Sequence, residues 1–432
     1  MAVIKPFRPL RYAPAVVGDL AQVVAPPYDV ISATYRDRLY HRSPYNVVRV
    51  ILNPASDPYA AAAGELAAWQ RGGALVRDAA PAVCFYVENF RLPDGSARER
   101  AGIMAAVRLE AFSTGRIRPH ERTFARAKED RMRLLRACRT NLSPIFGLYA
   151  GRPHALDPAR GIAAVRPPDI DLHDDAGERH RVWFVTETPA IDAIAAALAD
   201  AELVIADGHH RYETALAYRD ELHAAGQRDP EAPHDFILMY LTSINDPGLV
   251  ILPTHRVLHQ LPTGNLTDLT GRLRPWFRLQ MFPPTAQPEF MTAVRAGHGR
   301  FGLVLRDHES FILASIADEA GVASCLASLA PAVRALDVAM LDTVVLRRLV
   351  GIDCTAEAQA GRLTYTHDES SALEAVAAGA AAAFLINPPS IAEVVAVCAA
   401  GETMPEKSTY FFPKLLSGLV FRPLGADPLP TA

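Results

Sequence analysis

Cysteine is scarce. Five thiols in 432 residues (Cys84, Cys138, Cys325, Cys354 and Cys398) are odd in number, scattered and never spaced C-x-x-C. That usage excludes a disulfide scaffold or a zinc ribbon and suits structural thiols in a reducing cytoplasm. An excess of one charge sign is missing too. Lys plus Arg number 44 and Asp plus Glu 48, a formal net charge of −4, which argues against a chain that wraps nucleic acid. Long apolar runs are absent. The Ala-rich stretch 375–386 is stopped by Asn387-Pro388-Pro389, short of the roughly 20 residues a membrane span needs. Packed core is expected there, and no membrane partner. No opening segment joins a basic start, an apolar run and a small-residue cleavage site, so a cytoplasmic protein is expected.

The common signatures of nucleotide and hydrolase chemistry are missing as well. There is no G-x-x-x-x-G-K-[ST], no G-x-G-x-x-G opening a helix after a strand, no G-x-S-x-G and no H-E-x-x-H. Any nucleotide chemistry must therefore use a less common fold.

What is present is a globular composition, 50% hydrophobic and 21% charged, in a chain long enough for two or three domain-sized units. Prolines at 6, 9, 14, 26, 27, 44, 54 and 58 predict that the first 60 residues hold no long helix and wrap over the core. Val83–Phe90 and Gly102–Leu109 flank Pro93-Asp94-Gly95, a hairpin signal. Residues 124–139 read as a helix, and Val182–Val185 and Leu203–Ala206 read as strands around an Ala-rich helix at 189–200. The fold class is therefore α/β of a mixed (α+β) kind. Residues 266–400 alternate helix and strand again, with 326–349 as the longest helix. Pro262 to Gly264 is the expected seam. The organisation expected is a phosphate-binding core with its N-terminal wrap at 1–262, a second α/β region at 263–400, and a segment at 401–432 that returns to the core.

The most informative string is Leu203-Val204-Ile205-Ala206-Asp207-Gly208-His209-His210-Arg211-Tyr212-Glu213-Thr214-Ala215-Leu216. An apolar strand runs through Asp-Gly directly into a helix, whose first-turn amides form an anion site. Asp207 can cap that helix, Gly208 permits a tight turn or close ligand approach, and Arg211 offers a bidentate donor for phosphate. A second cluster is Arg118-Pro119-His120-Glu121-Arg122-Thr123. On the helix that follows, Phe124, Lys128, Arg131, Met132, Leu135 and Cys138 share one arc, so two cations lie on the inward face. Arg126, Asp130 and Arg133 fall on the opposite, solvated side. Residues 114–139 hold nine Arg or Lys against three acids, a cationic segment suited to a small phosphorylated ligand. Glu121, a carboxylate among cations, is a candidate general base. Further candidates are His255 and Arg256, on a loop after the strand Leu249–Leu252, and Lys407, Ser408 and Lys414 near the end.

These strings carry a resemblance. Asp207-Gly208-His209-His210-Arg211 between strand and helix looks like the phosphate-binding motif of the ParB/sulfiredoxin-like superfamily. With Pro26-Pro27-Tyr28-Asp29-Val30, His120-Glu121-Arg122-Thr123 with Lys128 and Asp130-Arg131, Asn141–Phe146, Asp207–Leu216, Leu252–Leu258 and Lys407–Leu419, the chain resembles the prokaryotic family catalogued as domain of unknown function 1015. The resemblance implies a ParB/sulfiredoxin-like core with an additional C-terminal α/β region. Free serine kinases are the small-molecule precedent in that superfamily. They imply a kinase moving a phosphoryl group from ADP, ATP or pyrophosphate, with Mg2+, to a hydroxyl metabolite such as free L-serine. Gly208, His209, His210, Arg211, Lys128, Arg131, His255 and Arg256 would then bind donor phosphates. His120, Thr123, Asn141, Lys407, Ser408 and Lys414 would bind substrate. Glu121 or Asp207 would be catalytic, and Asp207 could instead hold the magnesium. Sulfinate reduction is disfavoured, because His209 and His210 stand where sulfiredoxin places its cysteine. The alternatives are a nucleotide-responsive ParB-like DNA-binding protein, which lacks a convincing helix-turn-helix here, and a metal-dependent phosphohydrolase. The sequence does not give the oligomeric state.

Overall fold

The computed structural model describes residues 2–122, 125–261 and 266–425. Thr123 and the Pro262–Gly264 stretch lie outside them. The chain divides into two compact units, the first drawn from 1–119, 123–250 and 413–432 and the second from 120–122 and 251–412.

The first unit is built on a nine-stranded sheet: β1 (Ile4–Lys5), β2 (Val83–Arg91), β3 (Ala97–Arg108), β4 (Ile117–Pro119), β5 (Ile145–Tyr149), β6 (Ile170–His173), β7 (Arg179–Val185), β8 (Leu203–Asp207) and β9 (Phe236–Ser243). The order is β4-β8-β5-β9-β3-β2-β7-β6, with β1 paired to β3. β8 runs parallel to β4, and β9 parallel to β5. The other pairings are antiparallel, so the sheet is mixed, as expected. The Pro93-Asp94-Gly95 hairpin joins β2 and β3, closed by the Leu92 and Ser96 backbone and by Gly95 at φ 82°. Ile117, Ile145, Leu203, Ile205, Ile237 and Met239 form part of one continuous buried cluster along these strands.

Helices α1 (Ala33–Arg42), α2 (Pro58–Arg71), α3 (Ala125–Cys138) and α4 (His209–Ala224) belong to the same unit. α1, at 10 residues, is a short helix within the proline-rich first 60 residues. It fits between Pro27 and Pro44, and the Ser32 hydroxyl caps it by accepting from the Tyr35 N–H. α2 starts with Pro58 in its first turn, where the missing N–H costs nothing, and Asp57 caps it. Leu39, Val47, Ile51, Leu66 and Trp69 of this N-terminal region pack with Leu134, Cys138, Leu142 and Phe421 in a second buried cluster. Residues beyond 412 close the unit: Phe421 bridges Leu10, Ser417 bridges Ala25, and Arg422–Pro423 pairs with Thr140–Asn141.

The second unit has a six-stranded antiparallel sheet in the order 277–282, 311–316, 300–305, 382–385, 255–258, 363–366. The Ala-rich stretch 375–386 ends one helix and forms the buried strand Ala382–Leu385, as its reading as packed core required. The long helix expected at 326–349 is broken. Ala330, ahead of Pro331, and Leu336 are both extended, and they separate short helices at Pro331–Arg334 and Asp337–Met340. A π-helical run follows at Leu341–Val350. No helix among the described residues is long and apolar enough to cross a membrane.

Candidate functional site

The junction of β8 and α4 is the best-formed polar site of the first unit. Four apolar residues of β8 are buried, and Asp207 follows them at the strand end. Gly208 is the N-cap of α4 at φ 91°, the left-handed region that favours glycine. A Cβ there would lie 2.9 Å from Ile145 Cδ1 and 3.0 Å from the Arg211 guanidinium. Having no side chain, Gly208 also leaves the first turn without a side-chain cap.

Asp207 does not cap the helix. Its Oδ1 accepts from Lys414 Nζ and its Oδ2 accepts from Arg211 at 3.0 Å. Burial pushes the Asp207 carboxyl up, but Lys414 and Arg211 outweigh it and hold the carboxyl well below the usual range. Both oxygens face cations, which does not fit a magnesium ligand. A carboxylate held this low is also a weak proton acceptor. Two cations on one carboxylate leave a surplus positive charge.

Arg211 also donates to the Pro144 carbonyl at 2.6 Å, while its Nε–H is buried and makes no hydrogen bond. Such a donor costs free energy unless something accepts from it. Arg211 lines a narrow cavity of about 60 Å³ with Tyr28, Arg131, Asn141, Ser143 and Thr214. Three sequence candidates, Arg131, Asn141 and Arg211, thus meet. Arg131 is 10% exposed, stacks its guanidinium 4.1 Å from the Tyr28 ring centroid and pairs with Asp130. The Asn141 carbonyl oxygen accepts from the Leu238 N–H and from Arg422, so Asn141 fixes the wall. His209 is buried and His210 half-buried at the helix start. Tyr28, Ser143 and Thr214 were not singled out as site residues. All three carry the faint signal of lying inside strings quoted for the family resemblance.

Lys128 and Arg131 share a helix face but not a site. Lys128 pairs with Glu213 at 2.8 Å and lines a separate groove of about 910 Å³ between α3 and α4, with Phe112, Met132 and Arg136.

The second unit holds the remaining candidates. Glu121 Oε1 accepts from the Ser408 N–H, the Thr409 N–H and the Thr409 hydroxyl, and His120 Nε2 lies 2.7 Å from that hydroxyl. Glu121 is therefore the anchor of the loop 404–409, on which Lys407 takes the left-handed conformation at φ 55°. Ser408 Oγ donates to the Pro405 carbonyl. His255 and Arg256, expected on a loop, are instead in the strand His255–Leu258 and are 1% and 0% exposed. Neighbouring strands on both sides enclose them. Arg256 is tied to Asp342 and the Thr254 carbonyl and packs over Tyr365. Burial, reinforced by Arg256, pushes the His255 imidazole down to about 3.

Residues 4–339 match the family model described as "Protein of unknown function (DUF1015)". A search of curated proteins gave no match. Among solved structures, a conserved hypothetical protein from Pyrococcus furiosus is similar at 14% identity over 74% of this chain and 95% of its own, with a TM-score of 0.36. Free serine kinase in complex with AMP is similar at 13% identity over 74% of this chain and 91% of its own, with a TM-score of 0.37. SbnI with C-terminal truncation from Staphylococcus aureus is similar at 14% identity over 74% of this chain and 87% of its own, with a TM-score of 0.36.

Proposed function

This chain belongs to the DUF1015 family, and from the geometry of its 207–211 junction we propose that it is a small-molecule kinase. It moves a phosphoryl group from a nucleotide or pyrophosphate to a hydroxyl metabolite, with free L-serine the first acceptor to test. The observation that carries this reading is the buried Arg211 Nε–H without an acceptor, at the start of a 16-residue helix whose N-cap is glycine. An anionic oxygen would satisfy that donor, and the helix start and the surplus positive charge favour the same occupant. The resemblance of Asp207 to Arg211 to the ParB/sulfiredoxin-like phosphate motif supports it, and with it a core of that kind in the first unit.

In this reading the donor phosphates lie against the first turn of α4. Arg211 turns its Nε–H to them, and Arg131 and Lys414 add positive charge where it develops in the transferred group. Asp207 holds Arg211 and Lys414 in place and takes no proton. As the acceptor hydroxyl oxygen forms its bond to phosphorus, the bond from phosphorus to the leaving phosphate oxygen breaks, and the hydroxyl proton passes to solvent.

The test is to incubate the protein and magnesium with L-serine and, in turn, ADP, ATP or pyrophosphate, and to seek O-phosphoserine by mass spectrometry. The reading predicts product from at least one donor. Inorganic phosphate released without an acceptor product would favour a phosphohydrolase, and folded protein giving neither would reject phosphoryl transfer to serine.

A further inference from the structure

A second polar cluster lies in the first unit, in the hairpin of β6 and β7 and on β2 beside it. Asp174 and Glu178 bound the turn, His180 follows on β7, and their ligand-capable atoms all lie within 4.8 Å of one another. His180 is 0% exposed, and its Nε2 has no hydrogen-bond partner, with Asp174 Oδ2 at 3.5 Å. We infer that Asp174, Glu178 and His180 form a binding site for one divalent transition-metal ion of the Zn2+ or Mn2+ kind. The inference stands apart from the kinase reading.

The network accommodates the tautomer a metal needs. The Tyr86 hydroxyl donates to Glu88 Oε1 at 3.1 Å and lies 2.6 Å from His180 Nδ1. With its one hydrogen on the carboxylate, it accepts from His180 Nδ1–H. That leaves the Nε2 lone pair facing the two carboxylates, an acceptor buried beside acceptors. A cation resolves this arrangement. A metal-bound imidazole ordinarily donates its other N–H to an oxygen that is itself anchored. Here the chain continues from Tyr86 to Glu88, and from Glu88 to the fully buried Arg100 at 2.6 Å.

The turn is already rigid. Asp174 Oδ1 accepts from the Ala176 and Glu178 N–H groups, which turns Oδ2 toward His180. Asp175 beside it accepts from Tyr35 and Arg42. Metal–ligand bonds of about 2.0–2.2 Å set ligand atoms about 3.3 Å apart in a tetrahedron, close to the 3.5 Å between His180 Nε2 and Asp174 Oδ2. One imidazole with two carboxylates suits zinc or manganese, and the absence of thiolate disfavours softer ions. The described residues offer one other such group, His223, His234 and Asp235. There His234 Nε2 lies 3.2 Å from the Gln227 carbonyl and His223 Nε2 lies 3.0 Å from Asp235, so each imidazole has a protein partner.

The test uses tag-free full-length protein stripped with EDTA and titrated calorimetrically with ZnCl2 and with MnCl2. One equivalent of at least one ion is expected. The double variant Asp174→Asn, Glu178→Gln should weaken it about 100-fold or more, with an unchanged circular dichroism spectrum, and His223→Ala should leave it intact. X-ray absorption of the zinc-loaded wild type should show one imidazole among oxygen ligands, a readout independent of any variant. No stoichiometric binding of either ion, binding that survives the double variant, loss with His223→Ala instead, or a shell of two imidazoles or of sulfur would each overturn the inference.

Discussion

Gly208 and Asp207 made the junction legible, because strand, turn and helix start are contiguous and their chemistry is local. Gly208 sits at φ 91°, and a Cβ there meets Ile145 Cδ1 at 2.9 Å. Gly208→Ala should therefore cost about 1–2 kcal/mol or more in urea denaturation, where a merely exposed turn glycine would cost less. His255 was misread for the opposite reason: strands far apart in sequence decide its burial. Its folded pKa, about 3, lies below the unfolded value near 6.5, so its stabilising effect is full above pH 6.5 and lost as pH falls toward 3. The unfolding free energy from urea denaturation should drop between pH 6.5 and 5, by up to about 1.4 kcal/mol per pH unit. His255→Gln should flatten that slope, and an unchanged slope would remove His255 as its source. Glu121 has two competing roles. Read from sequence it is a proton acceptor; in the structure it anchors Ser408 and Thr409. Gln keeps an acceptor oxygen for both amides, so the anchor role predicts that Glu121→Gln retains turnover and stability. Lost turnover in a folded variant would return Glu121 to catalysis.

Elements with their own start and stop signals read well from sequence. The β2–β3 hairpin, α3 and the β8–α4 passage each carry a turn or periodicity of their own. The helix expected at 326–349 failed because apolar spacing continues across Pro331 while the backbone does not. α1 was missed because proline was counted over 60 residues, although the interval between Pro27 and Pro44 is free of it. Across β2 and β3, Glu88 faces Arg100 in register, and both are fully buried. Arg100→Met alone leaves a buried carboxylate and should destabilise by about 3–5 kcal/mol. Adding Glu88→Gln should recover part of that loss. A double-mutant cycle with no coupling energy would show that the pair does not act as a unit.

For the whole molecule, the balanced charge count concealed the +6 of residues 114–139, and the structure changes what that segment means. Among the described residues, five of its cations are paired within the first unit: Arg116 with Glu110, Arg118 with Glu202, Lys128 with Glu213, Arg131 with Asp130 and Arg136 with Glu221. Much of the charge is balanced internally, which weakens the case for a nucleic-acid face. What remains concentrated is the junction, where Lys414, carried on the returning C-terminal stretch, joins Arg211 on Asp207. No sequence window spans that distance, so Lys414 was placed among substrate ligands and not beside Asp207. The most direct measurement is calorimetric binding of pyrophosphate and ADP to wild type, Arg211→Ala and Lys128→Ala. The account predicts that wild type binds at least one of them. Affinity should fall about tenfold or more for Arg211→Ala, the equivalent of one charge-assisted hydrogen bond, and stay unchanged for Lys128→Ala. Equal affinity in wild type and Arg211→Ala, or no binding to folded wild type, would contradict it.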